Sequence, residues 1–292
     1  MYQIGLSTNG DRITRDVLAS YQRAGISAVE ISGSEHHFLA QSPAAMRTLA
    51  ADHDVTLWSF HLPFVPFDQI DISMPALAKA TLDKHTEIIK KAVEFGIKVF
   101  VIHPSGEPIR DKRDERIACA KEHLSLLAEA AERQGAVIAV EDIPRTCLCN
   151  TIEETLDIVG ADDRLRVCFD TNHLIHGDKP EEFARRLGDR IVTLHVSDYD
   201  FKNERHWLPG EGKIDWNALV AALEEIHYRG PWMFEINRQC PPTLIRDREL
   251  TPEDFVRSAR DVFAGQGFTT FSRPVDKDVL DRWDAQFIFR VS

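Results

Sequence analysis

The 292-residue sequence has only five cysteines, an odd number, and none of them form a C-x-x-C pair. A disulfide framework and a thiolate zinc site are therefore both disfavoured, and we interpret the cysteines as reduced. The sequence also lacks the roughly 18 consecutive apolar residues that a membrane span requires. Residues 1–7 lack the basic and apolar regions of a secretory signal. We therefore expect a cytoplasmic protein with no membrane partner.

Positive charge is scarce, because 35 basic side chains stand against 47 acidic ones and the net charge is −12. This balance disfavours nucleic acid as the main partner, since contacts of Lys and Arg with phosphates supply most of that affinity. The turn after the first apolar run, residues 7–11, does not match the G-x-G-x-x-G pattern of a dinucleotide-binding sheet. The remaining composition, 43% hydrophobic and 28% charged, is that of an ordinary globular protein.

What the sequence does contain is an alternation of short apolar runs with segments of helical periodicity. Eight runs of strand length lie at residues 3–7, 28–32, 56–61, 98–103, 137–141, 166–170, 191–196 and 232–236. Helical spacing is clearest at residues 77–95, 117–133 and 252–264. Several runs are apolar almost throughout, as parallel strands covered on both faces are. The pattern predicts an α/β fold, a single (β/α)8 TIM barrel over residues 1–264; a doubly wound open sheet is the competing layout.

A short C-terminal extension, residues 265–292, follows the eighth predicted helix. Its aromatic residues are Phe268, Phe271, Trp283, Phe287 and Phe289. Five aromatic rings in so short a segment need an apolar surface on which to pack. We expect the extension to pack on the barrel or on a neighbouring subunit, the second arrangement giving a homo-oligomer.

Ionisable residues stand at the ends of the predicted strands. They are His61, His103, Glu141, Asp170, His195 and Glu235. The chemistry of a (β/α)8 barrel takes place where the strands end, so these side chains are expected to meet on one rim. Buried carboxylates and imidazoles need a compensating cation. We therefore predict one divalent metal ion, and this mixed nitrogen and oxygen ligand set suits Mn, Co, Mg or Zn.

Seven segments together resemble the xylose isomerase-like TIM-barrel superfamily, which includes ketose 3-epimerases, hydroxypyruvate isomerase, inosose dehydratase and endonuclease IV. They are SFHLP at 59–63, VIHPSG at 101–106, VED at 140–142, FDTNH at 169–173, LHVSD at 194–198, LPGEGKIDW at 208–216 and FEI at 234–236. The resemblance implies that Glu141, Asp170, His195 and Glu235 hold the metal ion. It further implies a metal-dependent isomerase or epimerase of a small sugar, sugar acid or inositol-type hydroxy-carbonyl compound, in which Glu141 and Glu235 transfer the proton through an enediolate.

The resemblance also implies which residues contact the substrate. His61, His103 and His173 correspond to residues that bind substrate oxygens. Sugar epimerases carry a second glutamate and an arginine where this chain has Cys147 and Phe201. We consider four replacements for that part of the substrate site, Arg145, Lys202, Arg205 and His206, and we include Arg145 and His206 in the predicted site.

Three alternatives remain open from the sequence. His61, His103 and His173 also match metal ligands of the endonuclease IV branch, and residues 204–206, E-R-H, resemble its D-x-H pair. A multi-zinc phosphodiesterase is therefore the first alternative, although residues 63–67 offer no basic side chain for a DNA duplex. A dehydratase that works through the same enediolate is the second. The third is a sensor or scaffold that binds a metal or a sugar without turnover.

Overall fold

Eight parallel strands form a barrel in the order β7-β6-β5-β4-β3-β2-β1-β8. The strands are β1 (Ile4–Ser7), β2 (Ala28–Ile31), β3 (Thr56–His61), β4 (Val99–Ile102), β5 (Val137–Glu141), β6 (Arg166–Asp170), β7 (Ile191–His195) and β8 (Trp232–Phe234). A parallel bridge between Val196 and Phe234 joins β7 to β8. There the Val196 N–H donates to the Met233 carbonyl at 2.8 Å. The predicted (β/α)8 barrel is confirmed.

This computed structural model describes residues 2–265 and 267–290, without the side chains of residues 288–290. Its helices are α1 (Arg15–Ala24), α2 (Glu35–Leu39), α3 (Pro43–Ala51), α4 (Ala78–Ala92), α5 (Arg113–Glu132), α6 (Ile152–Val159), α7 (Pro180–Leu187), α8 (Trp216–Glu225), α9 (Pro252–Ala264) and α10 (Lys277–Asp284). Within the described residues, no helix is both long enough and apolar enough to cross a membrane.

Local sequence explains where several helices begin and end. Thr14 accepts a hydrogen bond from the Val17 N–H at 3.3 Å and so caps the first turn of α1. The same helix ends at Gly25, whose φ of 98° is strained for any residue with a β-carbon. Thr251 and Asp254 form a reciprocal capping box at the start of α9. The turn at Gly25 leads directly into β2 of the barrel.

The barrel core follows from strands that are buried on both faces. All four residues of β4 are buried, as are all four of β1 and all four of β2. Side chains on one face of each strand fill the barrel, whereas those on the other pack against the surrounding helices. The apolar runs therefore predicted each barrel strand to within about two residues at either end.

The C-terminal extension contacts the barrel of its own chain. Its residues Ser272–Pro274 form strand β10, which pairs antiparallel with β9 (Leu244–Arg246) from the segment after β8. The Thr269 N–H donates to Asp261 at 2.8 Å, and the Ser272 hydroxyl donates to Glu211 at 2.5 Å. Contact with a neighbouring subunit stays a prediction. The side chain of Phe289, and residues 291–292 altogether, lie outside the described part of the chain.

Candidate active site

Four ionisable side chains meet where β5, β6, β7 and β8 end. Glu141, Asp170 and His195 are the last residues of their strands, and Glu235 directly follows β8. One ligand atom from each lies within 4.8 Å of the others. The side chains of Glu141, Asp170 and His195 are at most 1% exposed, and that of Glu235 is 15% exposed. The structure thus brings together the four predicted metal ligands, with Glu235 nearest to the solvent.

His195 lies in the centre of this group and is oriented by Glu30, a residue of β2. Its Nδ1 is 2.8 Å from Glu141 Oε1 and 3.5 Å from Glu235 Oε2. Its Nε2 is 2.9 Å from Glu30 Oε1. The Ser59 hydroxyl donates to the other Glu30 oxygen at 2.8 Å. Glu30 therefore fixes the ring so that Nδ1 faces the carboxylates, a common arrangement around histidine ligands.

His61 and His103 both contact the second oxygen of Glu141. Their Nε2 atoms lie 3.1 Å and 3.2 Å from Glu141 Oε2. Burial lowers the pKa of His103 to about 4. Burial also acts to lower the pKa of His61, but the hydrogen bond to Glu141 and the charges of Glu141 and Glu30 together outweigh it and raise that pKa to about 9. The Phe64 ring stacks on His103 with ring centroids 4.0 Å apart. The rim thus holds two imidazoles beside the same carboxylate, with their pKa values shifted in opposite directions.

Asp170 and Glu235 carry negative charge that the described residues compensate poorly. Asp170 Oδ1 accepts from the Asn172 N–H at 2.7 Å, but its buried Oδ2 has no hydrogen-bond partner among the described residues. The nearest imidazole nitrogen to this oxygen, on His173, is 3.5 Å away. Burial raises the pKa of Asp170, and it raises the pKa of Glu235 to about 7.

A divalent cation fits this group of side chains. An unsatisfied buried carboxylate oxygen is costly, and three carboxylates converge with one imidazole. Such oxygen-rich sets, completed by a nitrogen ligand, suit Mn, Mg, Co or Zn. His61, His103 and Glu141 form a second possible metal-binding group that shares Glu141 with the first.

His173, Glu204 and His206 form the outer part of the site. The His173 Nδ1 donates to the Asp142 carbonyl at 2.6 Å, and its Nε2 is 3.0 Å from Glu204 Oε1. Burial acts to lower the pKa of His173, but the charges of Asp170 and Glu204 outweigh it and raise that pKa. The His206 Nδ1 is 3.1 Å from the Glu235 carbonyl, and its side chain is 34% exposed. These two predicted substrate contacts therefore lie beside Asp170 and Glu235.

Arg145 is buried beside the site and is bound by acidic side chains. It donates to both oxygens of Glu107, at 2.6 Å and 3.0 Å, and also to Glu204. Its Nη1 donates to Asn203 at 3.1 Å. The structure thus places Arg145 behind Glu204, and direct contact of Arg145 with a substrate stays a prediction. Of the other two candidates, Lys202 is exposed and Arg205 is paired with Asp200 and Asp284.

Sequence reasoning missed two features of the site. Glu107, the partner of Arg145, lies in the segment between β4 and α5 and carries no pattern that distinguishes it from a surface glutamate. Trp283 and Phe287 of the extension line a cavity next to His206. Their only signal was the excess of aromatic residues after residue 265.

The PGEGKID segment has a structural explanation in Asp198. One oxygen of Asp198 accepts from the N–H groups of Tyr199, at 2.8 Å, and Ile214, at 3.2 Å. The other accepts from the Gly210 N–H at 2.9 Å and the Trp216 ring N–H at 3.1 Å. A β-carbon on Gly212 would lie 2.2 Å from Asp198 Oδ1, which leaves room for glycine alone. Asp198 therefore shapes the loop that leads into α8.

These features define a (β/α)8 barrel with a possible metal-binding cluster on the rim where the strands end. The family model described as xylose isomerase-like TIM barrel matches residues 18–261, and the chain belongs to this family.

Known relatives of the chain are sugar isomerases and epimerases. It is 30% identical to the inosose isomerase of Bacillus velezensis over 178 residues, 57% of this chain and 61% of that protein. It is 29% identical to the D-psicose 3-epimerase of Enterocloster bolteae over 130 residues, 43% of this chain and 41% of that protein. Both matches thus span less than two thirds of the relative's own length. The structure of an L-ribulose 3-epimerase superimposes with a TM-score of 0.73 at 19% identity, covering 90% of this chain and 94% of the other, a likeness of fold.

Proposed function

We propose that this chain is a divalent-metal-dependent isomerase or epimerase of a small sugar, sugar acid or inositol-type hydroxy-carbonyl compound. The observation that carries the proposal is the pair of glutamates, Glu141 and Glu235, which face a single imidazole, His195, from β5 and from the end of β8. The names of the relatives, an inosose isomerase and a D-psicose 3-epimerase, support the same class of substrate.

Glu141, Asp170, His195 and Glu235 are the residues proposed to hold the ion. When bound, a divalent ion supplies stabilisation of the negative charge that develops on the substrate oxygens. The unsatisfied Oδ2 of Asp170 supports its assignment as a ligand.

Proton transfer is assigned to the two glutamates. One carboxylate removes the proton from the carbon next to the carbonyl, and the other delivers a proton to the opposite face or to the neighbouring carbon. Glu235 is the more exposed of the two, whereas Glu141 is held by His61, His103 and His195. In this proposal His61 and His103 bind substrate oxygens on the Glu141 side, and His173 and His206 bind them on the Glu235 side.

Solvent deuterium exchange tests the reaction class. The protein, supplied with Mn²⁺ in D₂O, is incubated with a panel of ketoses, sugar acids and inososes, and incorporation at the carbon next to the carbonyl is followed by NMR. We expect exchange on at least one compound of the panel. A dehydratase would reveal itself in the same spectra by loss of a hydroxyl group. The absence of exchange on every compound would contradict the proposal.

A phosphodiesterase is the second candidate, and one observation favours it. His61, His103 and Glu141 form a second group able to hold a metal ion, and phosphodiesterases use ions about 3.5–4 Å apart to stabilise the attacking and leaving oxygens. The abundance of acidic side chains opposes binding of a polyanion. An abasic-site DNA duplex is therefore included in the activity assay as the discriminating substrate.

The number of bound ions is expected to be one. One ion held by Glu141, Asp170, His195 and Glu235 would be enough to stabilise the charge that proton transfer develops on the substrate, which leaves His61 and His103 free to bind substrate. Elemental analysis of protein purified without chelator measures the ratio directly. About one equivalent agrees with the isomerase. About three equivalents, with loss of ions in His206→Ala and cleavage of the duplex, would establish the phosphodiesterase instead.

Replacing Glu30 by glutamine is expected to weaken metal binding and activity by about 10–100-fold, the usual effect of losing the partner of a histidine ligand. The amide oxygen of glutamine accepts a weaker hydrogen bond from the His195 Nε2–H than a carboxylate does, so the ring is held less firmly with Nδ1 toward the carboxylates. Titration with Mn²⁺ and the exchange rate give the two readouts. Ser59→Ala, which removes only the hydrogen bond to Glu30, is the matched control and should have a smaller effect. Equal metal affinity in Glu30→Gln and the parent would contradict this role.

A further inference from the structure

A buried ion pair fastens the C-terminal extension to the rim of the barrel. Arg205 donates from Nη1 to Asp284 Oδ1 at 2.7 Å and from Nη2 to Asp284 Oδ2 at 2.9 Å. Its Nη2 also donates to Asp200 at 2.8 Å. The side chain of Arg205 is fully buried, and that of Asp284 is 29% exposed. A bidentate pair of this kind fixes both the position and the orientation of the last turn of α10.

This attachment creates a cavity of about 440 Å³ between the extension and the segments that follow β7 and β8. Glu204 and His206 lie at its inner end, beside His173 and Glu235. Trp283 and Phe287 of the extension also line it, with their ring centroids 5.7 Å apart, and the Arg145 guanidinium lies over the Phe287 ring, 5.3 Å from its centroid. The cavity therefore runs from the proposed reaction centre to an aromatic wall, and its volume is within the roughly 300–1,000 Å³ of small-molecule sites.

The lining of the cavity combines apolar surfaces with side-chain amides. Pro241 and Pro242 line it together with the two aromatic rings, and the amides come from Asn203, Asn237 and Gln239. Flat apolar faces pack against the C–H groups of a ring, whereas amides donate to and accept from hydroxyl groups. This combination suits a polyhydroxylated ring. The lined surface is larger than the reacting carbons of the substrate could contact alone.

The charges around the cavity indicate an uncharged occupant. Arg205 is the one Lys or Arg among the described residues that line it, and both of its terminal nitrogens bind Asp284 or Asp200. Glu204 adds a carboxylate that is already paired with Arg145 and His173. The Arg205 guanidinium is therefore already paired and is not available to bind a phosphate group, which would also lie close to carboxylates.

We propose that the C-terminal extension forms a second subsite, in which Trp283 and Phe287 bind an uncharged ring attached to the substrate, so that a substrate with a second ring binds more tightly than the small sugar alone. The inference rests on the proposed function for the reacting end of the substrate and adds the class of group attached to it. Asp284 is a positioning residue in this proposal, because it acts through Arg205 to hold the aromatic wall in place.

Binding measured without turnover tests the subsite. Cellobiose, a β-D-glucoside whose second ring is also a sugar, and D-glucose serve as probes, and calorimetry gives their affinities for the parent protein and for Trp283→Ala and Phe287→Ala. We expect the parent to bind the glucoside at least about tenfold more tightly than glucose, and Trp283→Ala to lose most of that difference. Arg282→Ala, at the neighbouring exposed position of α10, is the matched control and should bind as the parent does. Equal affinities for the two probes in the parent, or a preference that survives in both aromatic variants, would overturn the proposal.

Asp284→Ala separates a positioning role from a loss of folding. We expect this variant to lose the preference for the glucoside while it keeps the circular dichroism spectrum of the parent, and Trp283→Phe to retain part of the preference. An unchanged preference in Asp284→Ala would show that the ion pair does not hold the wall. The binding test does not depend on turnover. A failure of deuterium exchange on the sugar panel would refute the proposed function, whereas the binding measurements would still show whether the subsite exists.

Discussion

Glu235→Gln is expected to lower the rate of proton exchange by about 10²–10⁴-fold, the usual contribution of a general acid or base. Glutamine has the shape of glutamate, but its amide cannot accept the substrate proton. The amide oxygen can still act as a metal ligand, so bound metal should fall much less than turnover. The measurement is kcat for solvent deuterium exchange, with the metal content of the same sample determined in parallel.

Glu224→Gln is the matched control for this change, because Glu224 is an exposed residue of α8 away from the rim. It should exchange at the parent rate. If Glu235→Gln retained the parent rate, Glu235 would have no part in proton transfer. If the parent bound a sugar without any exchange and Glu235→Gln bound it equally well, the chain would be a sensor and not an enzyme.

The barrel could be predicted from sequence because its strands are encoded locally. Each strand is a short apolar run, and helical periodicity separates it from the next. The pairing of β9 with β10 could not be predicted in this way. Its two strands have three residues each and are joined across the whole of α9, so no periodic pattern marks them.

The ionisable residues at the strand ends could be predicted to meet because parallel strands in a barrel end on the same side. Glu141, Asp170 and His195 meet for this reason alone. The choice of four of the ionisable residues as metal ligands came from the family resemblance. Contacts that form between loops leave no such signal. Arg145 and Glu107 are 38 positions apart in the sequence, and Arg205 and Asp284 are 79 apart. Trp283 and Phe287 are placed beside the site by the contact between Arg205 and Asp284. The sequence carries no signal of this contact, so it becomes visible in the structure alone.

Arg145→Ala is expected to destabilise the protein by about 3–5 kcal/mol, the typical cost of removing one partner from a buried ion pair. The Arg145 side chain is 7% exposed and that of Glu107 is 4% exposed, so water replaces the lost guanidinium poorly. Glu204, the second carboxylate that Arg145 holds, is left with His173 alone of these two partners. For a chain of this size the loss corresponds to a fall in Tm of roughly 10 °C, which differential scanning calorimetry measures.

Two further variants show whether this loss comes from the buried ion pair. Arg145→Lys keeps the charge but cannot bind Glu107 with two parallel hydrogen bonds, so its Tm should lie between those of Arg145→Ala and the parent. Arg186 forms a comparable pair with Glu153, but both side chains are exposed, at 40% and 69%, and Arg186→Ala should leave the Tm unchanged. If Arg145→Ala unfolded at the parent temperature, its guanidinium would be dispensable for the fold, and a direct contact of Arg145 with substrate would become the better explanation of its position beside Glu204.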